Sequence, residues 1–330
     1  MNNRNIIQKE VAPRDGFQFE KKFVSPEDRV AFIDELYKAG CRYIEIGSMV
    51  REDKVPQMAG SDIVALEIKK RVLKKQYPDA TFAILTLNSK GAEKALDIIT
   101  PDVSSHFEIA VVVAASDKFC HDNMGVDDME AALQKLADPV IALAKERGVK
   151  VRGYVSTIFE GQHGEPIAPD RVAQATKRLL DTGCYEVSLG DTTGAGTPKK
   201  VNRLVKALEN NGVTLDKVAG HFHDTNGYAI ENVRAAYKLG ITTFDSSAGG
   251  IGGCPFAHSP KGNLATEALI AYANANNIKT GLVLKKMVHA AHFGLSKIDK
   301  KSTSPVFIAM AQFLNLSKIG ETSVGLRTKS

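Results

Sequence analysis

The sequence lacks the features of an exported, disulfide-stabilised or membrane-embedded protein. Its four cysteines, at 41, 120, 184 and 254, form no C-x-x-C pair, which favours a reduced, cytosolic setting over a disulfide framework. The amino terminus is polar and has no apolar signal core, and no run of about 18 apolar residues occurs. We therefore expect a soluble, cytoplasmic protein.

A concentration of charge of one sign is also missing. The formal net charge is only +5 at pH 7, and the lysines and arginines are scattered. Because nucleic-acid-binding and membrane-binding surfaces need clustered cations, we expect neither partner. The hydrophobic fraction of 43% is near the globular average and is enough to bury a large core.

Nucleotide-binding glycine motifs are absent as well. No G-x-G-x-x-G follows the first predicted strand, and the glycine cluster from Gly249 to Gly253 contains no Lys-Ser or Lys-Thr pair. This argues against a doubly wound dinucleotide-binding sheet and against a P-loop. We interpret the cluster as part of a mobile lid.

Eight short β-rich runs alternate with helical segments along the chain. They begin near Ile6, Tyr43, Thr81, Phe107, Val149, Tyr185, Val218 and Ile241. Eight such units predict an α/β fold, a (β/α)8 TIM barrel. Gly40, Gly183 and Gly240 stand where a helix is expected to end before the next strand.

We predict two regions, a catalytic barrel over residues 1–275 and a C-terminal helical extension over 276–330 that packs on it. The apolar stretch from Val306 to Leu314 is suited either to capping the barrel or to forming a dimer contact. The sequence leaves both roles open.

The seventh predicted strand carries two histidines, His221 and His223. Strand side chains alternate faces, so both rings project to the same side. Two imidazoles suit Zn, Fe, Mn or Co, and nearby oxygen ligands would favour Mg or Mn. The alternative is a pair of histidines that are hydrogen-bonded inside the barrel.

Other reactive side chains follow other strands. Arg14 and Asp15 follow the first strand, Glu45 lies in the second, Asp191 follows the sixth, and Cys254 lies in the loop after the eighth. Barrel enzymes place their chemistry at the carboxyl ends of the strands, so we expect these groups to meet at one mouth.

Three motifs resemble, in the same order, those of the 3-hydroxy-3-methylglutaryl-CoA lyases of the DRE-TIM metallolyase family. They are Pro13-Arg14-Asp15-Gly16-Phe17-Gln18, His221-Phe222-His223-Asp224-Thr225 and Gly252-Gly253-Cys254-Pro255-Phe256. The resemblance extends from Val11 to about Tyr272, and it implies a TIM barrel with a catalytic lid loop after strand eight.

The resemblance also implies a role for each matching side chain. It gives Asp15, His221, His223 and Asn263 as ligands of Mg²⁺ or Mn²⁺, Arg14 as the cation that stabilises an enolate, and Cys254 as a lid thiol. Glu45 and Asp191 match acidic residues that support the site. We expect Asp191 to orient one of the two imidazole rings by a hydrogen bond. Polar positions near substrate or CoA match Gln18, Lys21, Ser48 and Ser188.

The implied reaction is retro-Claisen cleavage of 3-hydroxy-3-methylglutaryl-CoA to acetyl-CoA and acetoacetate, as in leucine degradation and ketone-body formation, by a homodimer. Residues 159–166 and Phe19 depart from the family pattern, so a lyase for a different 3-hydroxyacyl-CoA is a second possibility. A condensing synthase of the isopropylmalate or homocitrate type is a third. A binding protein without activity is a fourth, against which the retention of all the implied ligands argues.

Overall fold

Eight parallel strands close into one barrel in the computed structural model, which describes residues 4–253 and 262–316. Neighbours along the chain are neighbours in the sheet, and the eighth strand pairs with the first. The predicted fold class is therefore confirmed. The strands are β1 (Ile7–Glu10), β2 (Tyr43–Ser48), β3 (Thr81–Leu85), β4 (Phe107–Ala114), β5 (Lys150–Ser156), β6 (Glu186–Gly190), β7 (Val218–His221) and β8 (Thr243–Ser246).

Helices follow the strands and surround the barrel. The longer ones are α1 (Pro26–Lys38), α2 (Ser61–Leu73), α3 (Ser89–Ile98), α4 (Asp138–Glu146), α5 (Pro169–Thr182), α6 (Pro198–Asn210), α7 (Ala229–Leu239), α8 (Thr266–Ala275), α9 (Leu284–Lys297) and α10 (Pro305–Phe313). Short α-helical turns span Asp117–Phe119 and Met129–Ala132, and π-helical turns span Ala12–Gly16, Cys120–Met124 and Leu133–Ala137. The 3-10 turns are Pro56–Met58, Ser104–His106, Leu215–Lys217 and Ala248–Gly250.

The three glycines predicted to end helices do so. Gly40, Gly183 and Gly240 have φ values of 108°, 133° and 125°, and each stands at the end of a helix, shortly before a strand. A side chain would be strained in this backbone region. These glycines confirm the predicted stops.

The helical ring is closed by α9, because this helix packs against both α1 and α8. Its inward face is fully covered and includes Met287, Val288 and Leu295. Helix α10 packs on α8 and α9 but buries only Phe307 of its own residues. The boundary at 275/276 stays a prediction, although part of the predicted extension contributes to the wall of the barrel.

Charged side chains lie in the barrel interior below the mouth. Arg152 is 0% exposed and pairs with Glu186 at 2.8 Å and with Asp245 at 2.7 Å. Lys9 pairs with the same Glu186 at 2.8 Å. Buried charges are tolerated only when they are paired and hydrogen-bonded, and this chain of ion pairs leads up to the site described next.

Three cysteines are buried free thiols. Cys41 and Cys184 lie just before β2 and β6, in the hydrophobic core, where they pack as small apolar side chains. Among the described helices, none combines the length and apolar composition that a bilayer crossing requires.

Candidate active site

Asp15, His221 and His223 come together at the carboxyl end of the barrel. Asp15 lies in the π-helical turn after β1, and His221 is the last residue of β7. The two Nε2 atoms are 3.3 Å apart, and His221 Nε2 is 3.9 Å from Asp15 Oδ2. One ligand atom from each residue lies within 4.8 Å of the other two. The arrangement agrees with the predicted same-side projection of the two imidazoles.

Asp245 determines which nitrogen of His221 carries a proton. It is the register partner of His221 on β8, and its Oδ2 lies 3.1 Å from His221 Nδ1. Burial opposes ionisation of Asp245, but the charges of Arg152 and His221 hold the pKa of this carboxyl well below its usual range. An ionised carboxylate only accepts hydrogen bonds. His221 Nδ1 therefore carries a proton. Burial opposes a charge on this imidazole, but Asp245 and Asp15 raise its pKa. In the neutral form of the ring, the Nε2 lone pair faces His223.

The charge states of Asp15 and His223 fit a divalent cation. Burial and the neighbouring His221 lower the pKa of His223 to about 4. For Asp15, burial is outweighed by Arg14 and the two imidazoles, which lower its pKa to about 2. At neutral pH the site therefore offers a carboxylate and a neutral His223 in one small space, which is the donor set of a metal centre.

Asn263 joins this group from the segment before α8. It is the bridge partner of His223, and its Nδ2 donates to Asp15 Oδ2 at 2.8 Å and to Ile251 O at 3.3 Å. The structure thus brings the fourth predicted ligand into contact with the first. Because the amide nitrogen faces Asp15, ligation through the oxygen of Asn263 stays a prediction.

Arg14 is held between two carboxylates. Its Nη1 donates to Asp15 Oδ1 and its Nη2 to Glu45 Oε2, each at 2.7 Å. Glu45 is fully buried and also accepts from the Tyr154 hydroxyl at 3.4 Å. Glu45 therefore points into the barrel, and Arg14 is its ion-pair partner. The guanidinium is consequently fixed next to the candidate cation site.

The hydrogen bond predicted from Asp191 to an imidazole ring of the site is not formed, which corrects that prediction. Both carboxylate oxygens of Asp191 instead accept from the Gly196 N–H, at 3.1 and 3.0 Å, because the loop after β6 folds back over them. For His221 the partner is Asp245. Burial raises the pKa of Asp191 to about 7, so this residue stays a proposed site residue with a different environment.

The remaining predicted residues divide into two groups. Ser48 and Ser188 are buried, and their hydroxyls donate to Leu85 O at 3.2 Å and to Asp245 Oδ2 at 2.7 Å. Gln18 is half-buried and Lys21 is exposed, in the segment between β1 and α1. Contacts of these four with substrate or CoA stay predictions. Cys254 lies outside the described residues.

Asp245 and Arg152 are the functional residues that the sequence interpretation missed. Asp245 was visible as a polar residue in the eighth predicted strand. In a closed barrel β8 must pair with β7, so an acidic residue in register with His221 was a detectable signal. Arg152 supports it from β5 by two hydrogen bonds, at 3.2 and 2.7 Å.

Comparison with known proteins gives one consistent family. The sequence model described as HMGL-like matches residues 5–293. The chain is 40% identical over 295 residues to the 3-hydroxy-3-isohexenylglutaryl-CoA/hydroxymethylglutaryl-CoA lyase of Pseudomonas aeruginosa, which covers 89% of this chain and 93% of that protein. It is 38% identical to the hydroxymethylglutaryl-CoA lyase of Pseudomonas mevalonii, covering 92% and 95%. The crystal structure of hydroxymethylglutaryl-CoA lyase from Pseudomonas aeruginosa superposes with a TM-score of 0.86 at 37% identity, covering 94% and 98%.

Proposed function

Since this chain belongs to the HMGL-like family, we propose that it is a metal-dependent carbon–carbon lyase that cleaves 3-hydroxy-3-methylglutaryl-CoA. The observation that supports this most is the convergence of Asp15, His221 and His223 beside a guanidinium that two carboxylates hold in place. The relatives that cover nearly the whole chain are named as lyases of such thioesters.

Mg²⁺ is the first choice of cation and Mn²⁺ the second, because Asp15 and Asn263 add oxygen ligands to the two imidazoles. A divalent cation in this site would lower the pKa of the substrate hydroxyl and orient its oxygens. Asp245 keeps the Nδ1 proton on His221, so that Nε2 remains available as a donor atom.

The cleavage itself is a displacement of electron pairs within the substrate. The hydroxyl proton passes to solvent water, C3–O becomes a carbonyl, and the C2–C3 bond breaks, which yields acetoacetate. The electron pair of that bond passes to the thioester as an enolate. Arg14 is placed to stabilise this charge, because a guanidinium stays protonated and its planar fork suits an oxyanion. Protonation of the enolate at C2 gives acetyl-CoA, and we propose the thiol of Cys254 as the donor.

The direct test is incubation of the purified chain with Mg²⁺ and 3-hydroxy-3-methylglutaryl-CoA, followed by assays for acetoacetate and acetyl-CoA. We expect equal amounts of both products and no turnover after chelation. Failure on this substrate, with cleavage of a larger 3-hydroxyacyl-CoA such as the isohexenyl thioester named for one relative, would change the substrate and keep the reaction. Release of free CoA from acetyl-CoA and a 2-oxo acid would instead identify a condensing synthase.

The setting of the enzyme is part of the same proposal. We propose a CoA thioester as the small-molecule partner, a homodimer as the assembly, the cytoplasm as the location, and leucine degradation or ketone-body formation as the process. Helix α10 presents Ile308 and Phe313 to solvent, 44% and 78% exposed, which supports a contact between subunits. Light scattering of the purified chain measures the assembly directly.

A further inference from the structure

The chain between α9 and α10, residues 299–304, returns to the rim that carries the site. Asp299 has φ 52°, which turns the backbone away from α9. Lys300 Nζ then contacts Glu20 Oε1 at 2.8 Å, in the segment between β1 and α1. Ser302 is buried, whereas the neighbouring Thr303 is exposed. The segment is therefore attached to the rim at defined points.

Ser302 uses both capacities of its hydroxyl. The oxygen accepts the Ser304 N–H at 3.0 Å, and the hydroxyl donates to Gly249 O at 2.7 Å. Since a backbone N–H already occupies one side of the oxygen, the hydroxyl proton is directed to the carbonyl of Gly249. The hydrogen bond joins residues far apart in sequence, in the C-terminal segment and in the turn after β8.

The backbone of Gly249 is held by a hydrogen bond at its N–H and by close packing at its Cα. Its N–H donates to Glu267 Oε1 at 2.8 Å, and its φ is 71°, where a side chain would be strained. A Cβ at this position would lie 2.9 Å from Leu295 Cδ1 on α9. The glycine cluster was interpreted as part of a mobile lid, but Gly249 is held in place by its neighbours. The hydrogen bond from Ser302 is one of the contacts that hold it.

The segment after Gly249 touches the candidate cation site. Ile251 O accepts from Asn263 Nδ2 at 3.3 Å, and the same amide donates to Asp15 Oδ2 at 2.8 Å. A Cβ on Gly252 would lie 2.6 Å from Asn263 Nδ2 and 3.0 Å from Gly16 Cα. A shift of the backbone after Gly249 would therefore displace Asn263 and Asp15.

We propose that Ser302 is a positioning residue for the divalent-cation site, acting through its hydrogen bond to Gly249. Loss of this bond would leave a buried carbonyl unpaired, and the backbone would turn to find another donor. The inference rests on the proposed metal-dependent function and adds to it a role for the C-terminal segment, which contributes no ligand of its own.

The test is a titration of the whole chain with Mn²⁺, followed by the electron paramagnetic resonance signal of free Mn²⁺, in three variants. We expect Ser302→Ala to weaken Mn²⁺ binding about fivefold and to lower kcat, with the KM of the thioester changed by less than a factor of two. Ser302→Cys keeps a weak donor of similar size and should recover part of the affinity. Thr303→Ala is the matched control and should bind like the wild type.

The outcomes separate this inference from the function on which it rests. If Ser302→Ala melts at a lower temperature but binds Mn²⁺ as tightly as Thr303→Ala, Ser302 has a structural role only, and the inference is wrong. In another outcome, the wild type cleaves no 3-hydroxyacyl-CoA, but Ser302→Ala binds Mn²⁺ more weakly than the wild type. This would contradict the proposed reaction and support the positioning role. A wild-type chain that binds no Mn²⁺ would overturn both.

Discussion

At the scale of single residues, the candidate site depends on Asp245, which fixes the orientation of the His221 ring. The carboxylate receives hydrogen bonds from Arg152, Ser188 and His221, so its position is determined by three strands of the barrel. A histidine whose second nitrogen is fixed in this way binds metal with one defined nitrogen.

Asp245→Asn should weaken Mn²⁺ binding by about 10-fold to 100-fold, because an amide cannot supply the charge that orients the ring of His221. Isothermal titration calorimetry measures the effect. Glu186→Gln is the matched control, since it also removes a carboxylate from Arg152 but does not touch His221. Equal losses of affinity in both variants would show that the ion-pair network, and not Asp245 itself, is what matters.

The sequence was sufficient to predict His221 and His223 at the end of the seventh strand. It was not used to predict Asp245, whose role depends on the register between β7 and β8. His221 and His223 could be placed on one face by strand periodicity alone. The choice between Asp191 and Asp245 as partner required knowing that Asp191 is turned towards the Gly196 N–H, and loop conformation of this kind is not encoded in a local pattern.

At the scale of elements, the turn after β8 connects the barrel to the helices around it. Gly249 lies between the carboxylate of Glu267, the hydroxyl of Ser302 and the side chain of Leu295. A change in the conformation of this turn would therefore affect two helices, α8 and α9, and the segment between α9 and α10.

Gly249→Ala should lower the free energy of unfolding by about 1–3 kcal/mol, because φ 71° disfavours a side chain and Leu295 blocks the space. Urea denaturation followed by circular dichroism measures the change. Gly253→Ala is the control, since a Cβ there meets no atom of the described residues within 4 Å. A Gly249→Ala variant as stable as Gly253→Ala would show that the turn is not strained by a side chain.

Element type and order could be predicted from alternating β-rich and helical runs and from glycines at helix ends. The position of α9 could not be predicted in this way. Only the packed structure shows that α9 lies between α8 and α1 and completes the ring of helices. The predicted boundary at 275/276 follows from counting eight strand–helix units. That count gives no sign that α9 is also part of the ring of helices around the barrel.

At the scale of the whole molecule, the barrel contains carboxyl groups that burial keeps protonated above their ordinary pKa. Burial raises the pKa of Glu10 to about 7 and that of Glu267 to about 8. Between the unfolded value near 4.5 and the folded value, the folded chain binds the extra proton, so stability falls as the pH rises.

Glu267→Gln should make the free energy of unfolding less dependent on pH between pH 6 and 8, by up to about 1.4 kcal/mol per pH unit. The amide cannot ionise, so the stability that the wild type loses as Glu267 approaches its folded pKa of about 8 should not be lost. Urea titrations of both proteins at pH 6, 7 and 8 give the slopes. Identical slopes would mean that Glu267 is ionised in the folded protein throughout this range.

The most direct measurement is pulsed electron paramagnetic resonance of the chain loaded with one equivalent of Mn²⁺, which detects the nitrogen atoms bound to the ion. We predict one Mn²⁺ per chain with two imidazole nitrogens coupled to it, and one coupling lost in His223→Ala. A wild-type spectrum without nitrogen coupling, or one that His223→Ala leaves unchanged, would contradict the proposal that Asp15, His221 and His223 hold the cation.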